Sequence, residues 1–255
     1  MKRLLLLVLL IAAAPQATPT EAPVPVLVAK VIARYPHDPQ AFTQGLLWRD
    51  GALYESTGRE GRSEVRRVNL SDGRVERRAK LPPDQFGEGL ASWGTQLISL
   101  TWTQGVAHRW DARTLKRVGG NRFQGEGWGL ASDGEQLIHS DGSATLRFLD
   151  PKTLTVVRSV GVTLRGRSVD QLNELEVVDG AVFANVWHTP YVLRINPADG
   201  RVTAVIDLRP VVARIAVSDP EAVANGVAWD AKARRLFVTG KLWPALFEIV
   251  LEPAH

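Results

Sequence analysis

One pattern returns five times along the chain, and it constrains the fold more than any other feature. Gln44-Gly45-Leu46 opens a strand-like segment that turns at Asp50-Gly51 and resumes at Leu53-Tyr54. Glu88-Gly89-Leu90 turns at Trp93-Gly94, Trp128-Gly129-Leu130 at Asp133-Gly134, and Asn173-Glu174-Leu175 at Asp179-Gly180. Asn225-Gly226-Val227 turns in the longer loop from Asp230 to Arg235. The units start at residues 44, 88, 128, 173 and 225, a spacing of 44, 40, 45 and 52 residues. A period near 45 suits one four-stranded sheet per unit, and helical periodicity is almost missing between them. Self-similar antiparallel sheets of this length arrange radially, so the expected fold is all-β, a five-bladed β-propeller.

Each first hairpin is followed by material for a second. Ser63 to Val68 turns at Asp72-Gly73 into Val75 to Leu81, and Tyr191 to Asn196 turns at Asp199-Gly200 into Val202 to Leu208. Val106 to Trp110 and Thr145 to Leu149 are likewise followed by further strands. The last unit has only Leu246 to Leu251 after its first hairpin, one strand short. Val26 to Arg34, at the other end of the chain, supplies the missing strand and closes the ring, leaving no open sheet edge. A single propeller domain is therefore expected over residues 26–255. At 45% apolar residues the chain can bury a large core.

Ahead of this domain, Lys2 and Arg3 precede an unbroken apolar run from Leu4 to Ala14, with small residues at Ala12, Ala13, Ala14 and Ala17. A run of this length is too short to span a bilayer and suits a signal peptide, here residues 1–17, followed by a Pro- and Thr-rich flexible leader over 18–25. The protein is expected to be periplasmic or secreted, with no stable membrane anchor, and monomeric. It contains no cysteine, so no disulfides brace it. Without Lys2 and Arg3 the chain carries 29 basic and 27 acidic residues, too balanced for a nucleic-acid partner. The pairs Arg66-Arg67 and Arg77-Arg78 read as solvated sheet edges.

Folding each first hairpin about its turn predicts which residues meet. Gln44 falls opposite Gly58, Glu88 opposite Trp102, Trp128 opposite Gly142, Asn173 opposite Trp187 and Asn225 opposite Lys241. All ten lie at the open end of a hairpin, on one rim near the axis. The neighbouring column of Leu46, Leu90, Leu130, Leu175 and Val227 repeats one apolar type, as a structural column does. The rim column instead gathers a carboxylate, a cation, three carboxamides and three indoles, the composition of a small-ligand pocket.

Plainer readings stand beside this one. Trp102, Trp128 and Trp187 can plug a central channel, and Glu88 can cap a turn or form a structural ion pair with Lys241. Phe42 and Phe86, each two residues before an anchor, suit either the pocket wall or the core. The five His residues lack metal-ligand spacing, and His37 and His188 read as incidental loop residues. No phosphate loop, nucleophile elbow or zinc motif is present.

At these residues the sequence resembles the glutamine cyclotransferase family, the plant and bacterial type of glutaminyl cyclase. The resemblance is carried by Tyr-Pro-His-Asp-Pro-Gln-Ala-Phe-Thr-Gln-Gly-Leu (35–46), Tyr-Glu-Ser-Thr-Gly-Arg (54–59), Phe-Gly-Glu-Gly-Leu (86–90) and Leu-Thr-Trp (100–102). It continues through Gly-Glu-Gly-Trp-Gly-Leu (125–130), Ser-Asp-Gly-Ser (140–143), Leu-Asn-Glu-Leu-Glu (172–176), Ala-Asn-Val-Trp (184–187) and Phe-Val-Thr-Gly-Lys-Leu-Trp-Pro (237–244). It implies a five-bladed propeller that works without a catalytic metal or other cofactor on peptides and proteins bearing an N-terminal glutamine. It also implies functional roles for Phe42, Gln44, Phe86, Glu88, Trp102, Trp128, Asn173, Trp187 and Lys241. The segment from Arg209 to Ala224 matches nothing in the family pattern.

The implied reaction closes the substrate's α-amine onto its own γ-carboxamide, giving pyroglutamate and ammonia. Glu88, Asn173, Lys241 and Gln44 are the expected catalytic group: Glu88 for proton transfer, Asn173 and Lys241 for the oxyanion, Gln44 for the substrate amine or carbonyl. Phe42, Phe86, Trp102, Trp128, Trp187 and Asn225 are the expected substrate-binding group. Two other classes fit the same rim: a non-catalytic peptide dock, and a glycosidase, which needs a second axial carboxylate. Glu126 and Glu174 adjoin the rim column but are expected to face away from it.

Overall fold

The computed structural model describes residues 23–254, so the expected signal peptide and most of the leader lie outside the described residues. The chain is all-β. After β1 (Val26–Pro36) come β2 (Thr43–Arg49), β3 (Ala52–Thr57), β4 (Glu64–Val68) and β5 (Val75–Lys80), paired in that order as one antiparallel sheet. A second sheet holds β6 (Gly87–Trp93), β7 (Gln96–Thr101), β8 (Val106–Asp111) and β9 (Arg117–Arg122). A third holds β10 (Leu130–Ser132), β11 (Leu137–His139), β12 (Thr145–Leu149) and β13 (Val156–Gly161). A small hairpin, β14 (Thr163–Leu164) with β15 (Arg167–Ser168), leads into β16 (Leu172–Val178), β17 (Ala181–Val186), β18 (Tyr191–Ile195) and β19 (Val202–Asp207). The short helix α1 (Arg209–Val212) precedes β20 (Ala224–Asp230), β21 (Arg235–Gly240) and β22 (Ala245–Pro253).

The expected pairing of the two ends is present. β1 runs antiparallel to β22, from Leu27 opposite Pro253 to Pro36 opposite Ala245. The start of β1 also pairs in parallel with β19, at Val26 opposite Val205, which joins the last two groups into one eight-stranded sheet. Docking starts just before β1, where Val24 packs on the core and the Pro25 carbonyl accepts the Val205 N–H at 3.0 Å.

Turn chemistry explains the hairpins. In Asp50-Gly51 and Asp179-Gly180 both residues have positive φ (50° and 77°, 47° and 78°), the backbone that matches the twist of two antiparallel strands. The first strands of successive groups, β2, β6, β10, β16 and β20, lie side by side, and β20 returns to β2. Separate core clusters fill the space between neighbouring groups. One packs Leu47, Tyr54 and Val65 on Leu90, Leu97 and Trp110; another returns from Ala228, Phe237 and Leu246 to Leu46, Leu53 and Val68. Glycine permits the closest of these approaches: a Cβ on Gly89 would collide with the backbone of Gly129 and Leu130.

Two sequence expectations are corrected here. His37 is not an incidental loop residue, and Arg66 is not on a solvated edge; both are buried around Glu55. His37 Nδ1 donates to the Trp243 carbonyl at 2.7 Å, and Nε2 faces Glu55 Oε1 at 3.0 Å. Arg66 Nε donates to Glu55 Oε2 at 2.8 Å, and Arg66 Nη1 to Asp38 Oδ2 at 2.8 Å. Burial opposes the charge on Glu55, but Arg66 and His37 overcome it and hold its carboxyl well below the usual carboxylate range. Burial likewise opposes the charge on His37, but Glu55 outweighs it and raises its pKa. Thr43 Oγ1 also donates to Glu55, at 2.6 Å. This buried ionic knot anchors the segment that delivers Phe42 and Gln44 to the rim.

Candidate active site

The anchor residues gather at one rim, but not in the register the hairpins suggest. The ladder between β2 and β3 shifts between Thr43 and Gly45, so Gln44 sits in a β-bulge. The same irregularity falls between Gly87 and Leu90, between Leu172 and Leu175, and between Ala224 and Val227, enclosing Glu88, Asn173 and Asn225. Each bulge displaces the pairing beyond it. The N–H groups of Gly58, Trp102, Trp187 and Lys241 bond the carbonyls of Phe42, Phe86, Gln171 and Val223, each two residues earlier than expected. Bulges re-aim side chains, and these lie at four of the five anchors, turning Gln44, Glu88 and Asn173 into one cavity. Trp128 comes before β10, and its ring lies where a Cβ on Gly142 would be, so that glycine makes room for the indole.

The result is a cavity of about 380 Å³ lined by the nine residues implied by the family resemblance, together with Arg59 and Glu221. Its walls are aromatic. Phe86 meets Phe42 edge-on at 6.0 Å and Trp102 at 5.9 Å, and Trp128 meets Trp187 at 5.5 Å. Trp102 is 42% exposed and marks the open side. Asn225, expected among the substrate-binding residues, lies behind this wall. Its Nδ2 donates to the Thr43 carbonyl at 2.9 Å and to Gln44 Oε1 at 3.1 Å. Gln44 Nε2 in turn donates to Glu88 Oε1 at 2.8 Å, so a chain of amides aims the carboxyl.

Burial pushes the Glu88 carboxyl well above its ordinary range; Lys241 pulls it down and Glu126 adds to the rise. Burial lowers the Lys241 ammonium, and Glu88 and Glu221 oppose that fall. Lys241 Nζ stands 4.7 Å from the centre of the Phe42 ring, and among the described residues it forms no ion pair with Glu88. Two buried atoms of the lining, Asn173 Oδ1 and Trp187 Nε1, have no hydrogen-bond partner among the described residues. A buried acceptor and donor left open in a pocket are free to bond the polar groups of whatever enters it.

Three residues of this region escaped the sequence reading. Arg59 lines the cavity with its guanidinium 4.6 Å from the Phe42 ring centre; its signal was its place directly after Gly58 in the Tyr-Glu-Ser-Thr-Gly-Arg segment. Glu221 comes from the segment between Arg209 and Ala224, whose irregular path no periodicity announces. Glu126 does not face away: its Oε2 accepts the indole N–H groups of Trp102 and Trp128. Glu174 does turn from the cavity, accepting the N–H groups of Leu46 and Val227 at 3.2 and 2.9 Å. Among the described residues no cluster of three or more His, Asp or Glu side chains is arranged to hold a metal.

Known proteins are similar to the chain along nearly its whole length. A curated relative from Arabidopsis thaliana, named glutaminyl-peptide cyclotransferase, is 43% identical over 229 residues, covering 88% of this chain and 72% of its own. The crystal structure of Myxococcus xanthus glutaminyl cyclase superposes with a TM-score of 0.87 at 41% identity, covering 91% of this chain and 99% of that one. The family model for glutamine cyclotransferase matches residues 3–251, a span that contains every residue of the cavity, and the chain belongs to that family.

Proposed function

We propose that this protein is a glutaminyl-peptide cyclotransferase that converts the N-terminal glutamine of peptides and proteins to pyroglutamate with release of ammonia. Family membership supports the activity. The observation that carries the mechanism is the buried Glu88 carboxyl, aimed by Gln44 and set among aromatic rings in a cavity with open hydrogen-bonding atoms. The nucleophile is already part of the substrate, so holding the side chain folded against the α-amine supplies much of the acceleration. That amine has a pKa of about 7.7–8.0 and is easily made neutral.

In the reaction the amine nitrogen bonds the γ-carboxamide carbon, the carbonyl becomes an oxyanion, and the C–N bond to the amide nitrogen breaks. Glu88 takes the proton the attacking amine loses and hands it to the departing ammonia. A carboxyl with a raised pKa suits that shuttle near neutral pH. Lys241 and Asn173 supply donors toward the oxyanion. The indoles and Phe86 exclude water and clamp the aliphatic part of the glutamine. Gln44 is assigned a positioning role through its bond to Glu88, with Asn225 behind it.

The wider reading is a five-bladed propeller whose fifth blade combines β20, β21 and β22 with β1. We take the protein to be exported through residues 1–17 and to act as a monomer without a metal or other cofactor. Ammonia release from a Gln-initiated dipeptide tests the activity. It should persist after exhaustive chelation and vanish when the α-amine is acetylated. Binding of the dipeptide with no ammonia formed would instead make the rim a peptide dock.

A further inference from the structure

Glu126 belongs to the loop between β9 and β10, outside the residues assigned to catalysis above. One of its oxygens, Oε2, accepts the Trp102 indole N–H at 2.7 Å and the Trp128 indole N–H at 2.9 Å. These two rings come from different sheets, Trp102 just after β7 and Trp128 just before β10. Nothing else bonds their nitrogens among the described residues.

The backbone around Glu126 is fixed as firmly as its side chain. Gly127 N–H donates to the Trp102 carbonyl at 2.8 Å, and a Cβ at Gly127 would lie 2.7 Å from the Thr101 carbonyl oxygen. His139 Nε2 donates to the Glu126 carbonyl at 2.9 Å. Burial pushes the His139 ring down to about 4, so at neutral pH it is uncharged with its proton on Nε2. Trp128 then leans edge-on against Trp187, and Trp102 against Phe86. Both aromatic walls of the cavity therefore end on one carboxylate.

We propose that Glu126 is a positioning residue for the cyclisation, its carboxylate tying the indoles of two neighbouring sheets into one wall of the cavity that holds Glu88. The inference rests on the cyclotransferase reading. The charged groups around Glu88 are Lys241 and Glu126, with Arg59 and Glu221 on the same cavity lining. Lys241 favours the ionised carboxyl and Glu126 the protonated one. Glu126 thus does two jobs that substitution separates: glutamine keeps an acceptor oxygen but no charge, and alanine keeps neither.

The experiment compares wild type, Glu126→Gln and Glu126→Ala in ammonia release from a Gln-initiated dipeptide across pH. The indole N–H resonances of ¹⁵N-labelled protein are recorded in parallel. Glu126→Ala should raise KM by about tenfold, the order expected for loss of hydrogen bonds to a charged group, and should move the Trp102 and Trp128 indole signals. Glu126→Gln should hold KM within about threefold of wild type by keeping one acceptor. Its acidic limb of kcat should move to lower pH, because removing a negative charge makes Glu88 easier to ionise and it is the ionised form that takes the proton. Wild-type KM and indole signals in a folded Glu126→Ala, or an unmoved acidic limb in Glu126→Gln, would overturn the proposal. If Glu126→Ala fails to fold, the pH profile of Glu126→Gln decides. If wild type itself releases no ammonia, the cyclotransferase reading fails, and the indole signals still decide whether the clamp exists.

Discussion

At the scale of single residues, the site divides into groups that act on charge and groups that act on shape. Asn173 and Lys241 bring polar atoms to the carbonyl, so Asn173→Ala and Lys241→Ala should each lower kcat by about 10²–10³-fold, the range for removing one oxyanion donor. Trp187→Ala opens the wall without touching proton transfer and should mainly raise KM, by about tenfold. Initial-rate kinetics on a Gln-initiated dipeptide separate the two classes; a Trp187→Ala defect confined to kcat would contradict the division. The identities of these residues were legible because the rim column mixes residue types where a packing column repeats one. Their pairing was not legible. A bulge is a backbone event, and nothing in Gln44, Glu88, Asn173 or Asn225 announces that the ladder slips beside it. The error of two residues in each partner follows directly.

At the scale of elements, the bulges free backbone groups that another side chain must satisfy. Glu174 does so for two strands at once, accepting the N–H of Leu46 on β2 and of Val227 on β20 from its place on β16. Those strands carry Gln44 and Asn225, so Glu174 holds the rim from below. Glutamine at this position has one acceptor oxygen for two N–H groups. Glu174→Gln should therefore cost about 1–3 kcal/mol, the penalty of one buried unsatisfied donor. For a chain of this size that lowers Tm by roughly 2–12 °C in a thermal melt. An unchanged Tm would show that the N–H groups find other partners. The sequence reading turned Glu174 correctly away from the pocket by alternation, yet gave it no task. Alternation assigns a face; it is silent on what a buried carboxyl accepts. Glu126 was misread by the same rule because its loop is not a strand and does not alternate.

At the scale of the whole molecule, most of the architecture was legible because it is written several times. Turn signals recur with each repeat, and the missing strand of the last unit pointed to the N-terminal segment. The parallel contact of β1 with β19 was not legible, since no repeat contains a second example of it. Nor was the path from Arg209 to Ala224, which brings Glu221 to the cavity without regular structure over most of its length. Closure by β1 gives a direct prediction. Deleting residues 24–36 removes the partner of β22 and strips Ala29 from its core cluster, leaving open strand edges. The truncated protein should be insoluble or lack a cooperative melt; a soluble product melting like the full chain would contradict closure through this strand.

The central claim is that Glu88 moves the proton. Glu88→Gln preserves size and the hydrogen-bonding shape toward Gln44 while removing the titrating group. General acid–base catalysis contributes about 10²–10⁴-fold, so kcat should fall by that order, with KM changed far less because the other substrate contacts remain. The deciding measurement is ammonia release from a Gln-initiated dipeptide by wild type and Glu88→Gln at matched Tm. A fall in kcat of that size in a fully folded variant is the predicted result, and a kcat near that of wild type would contradict the account.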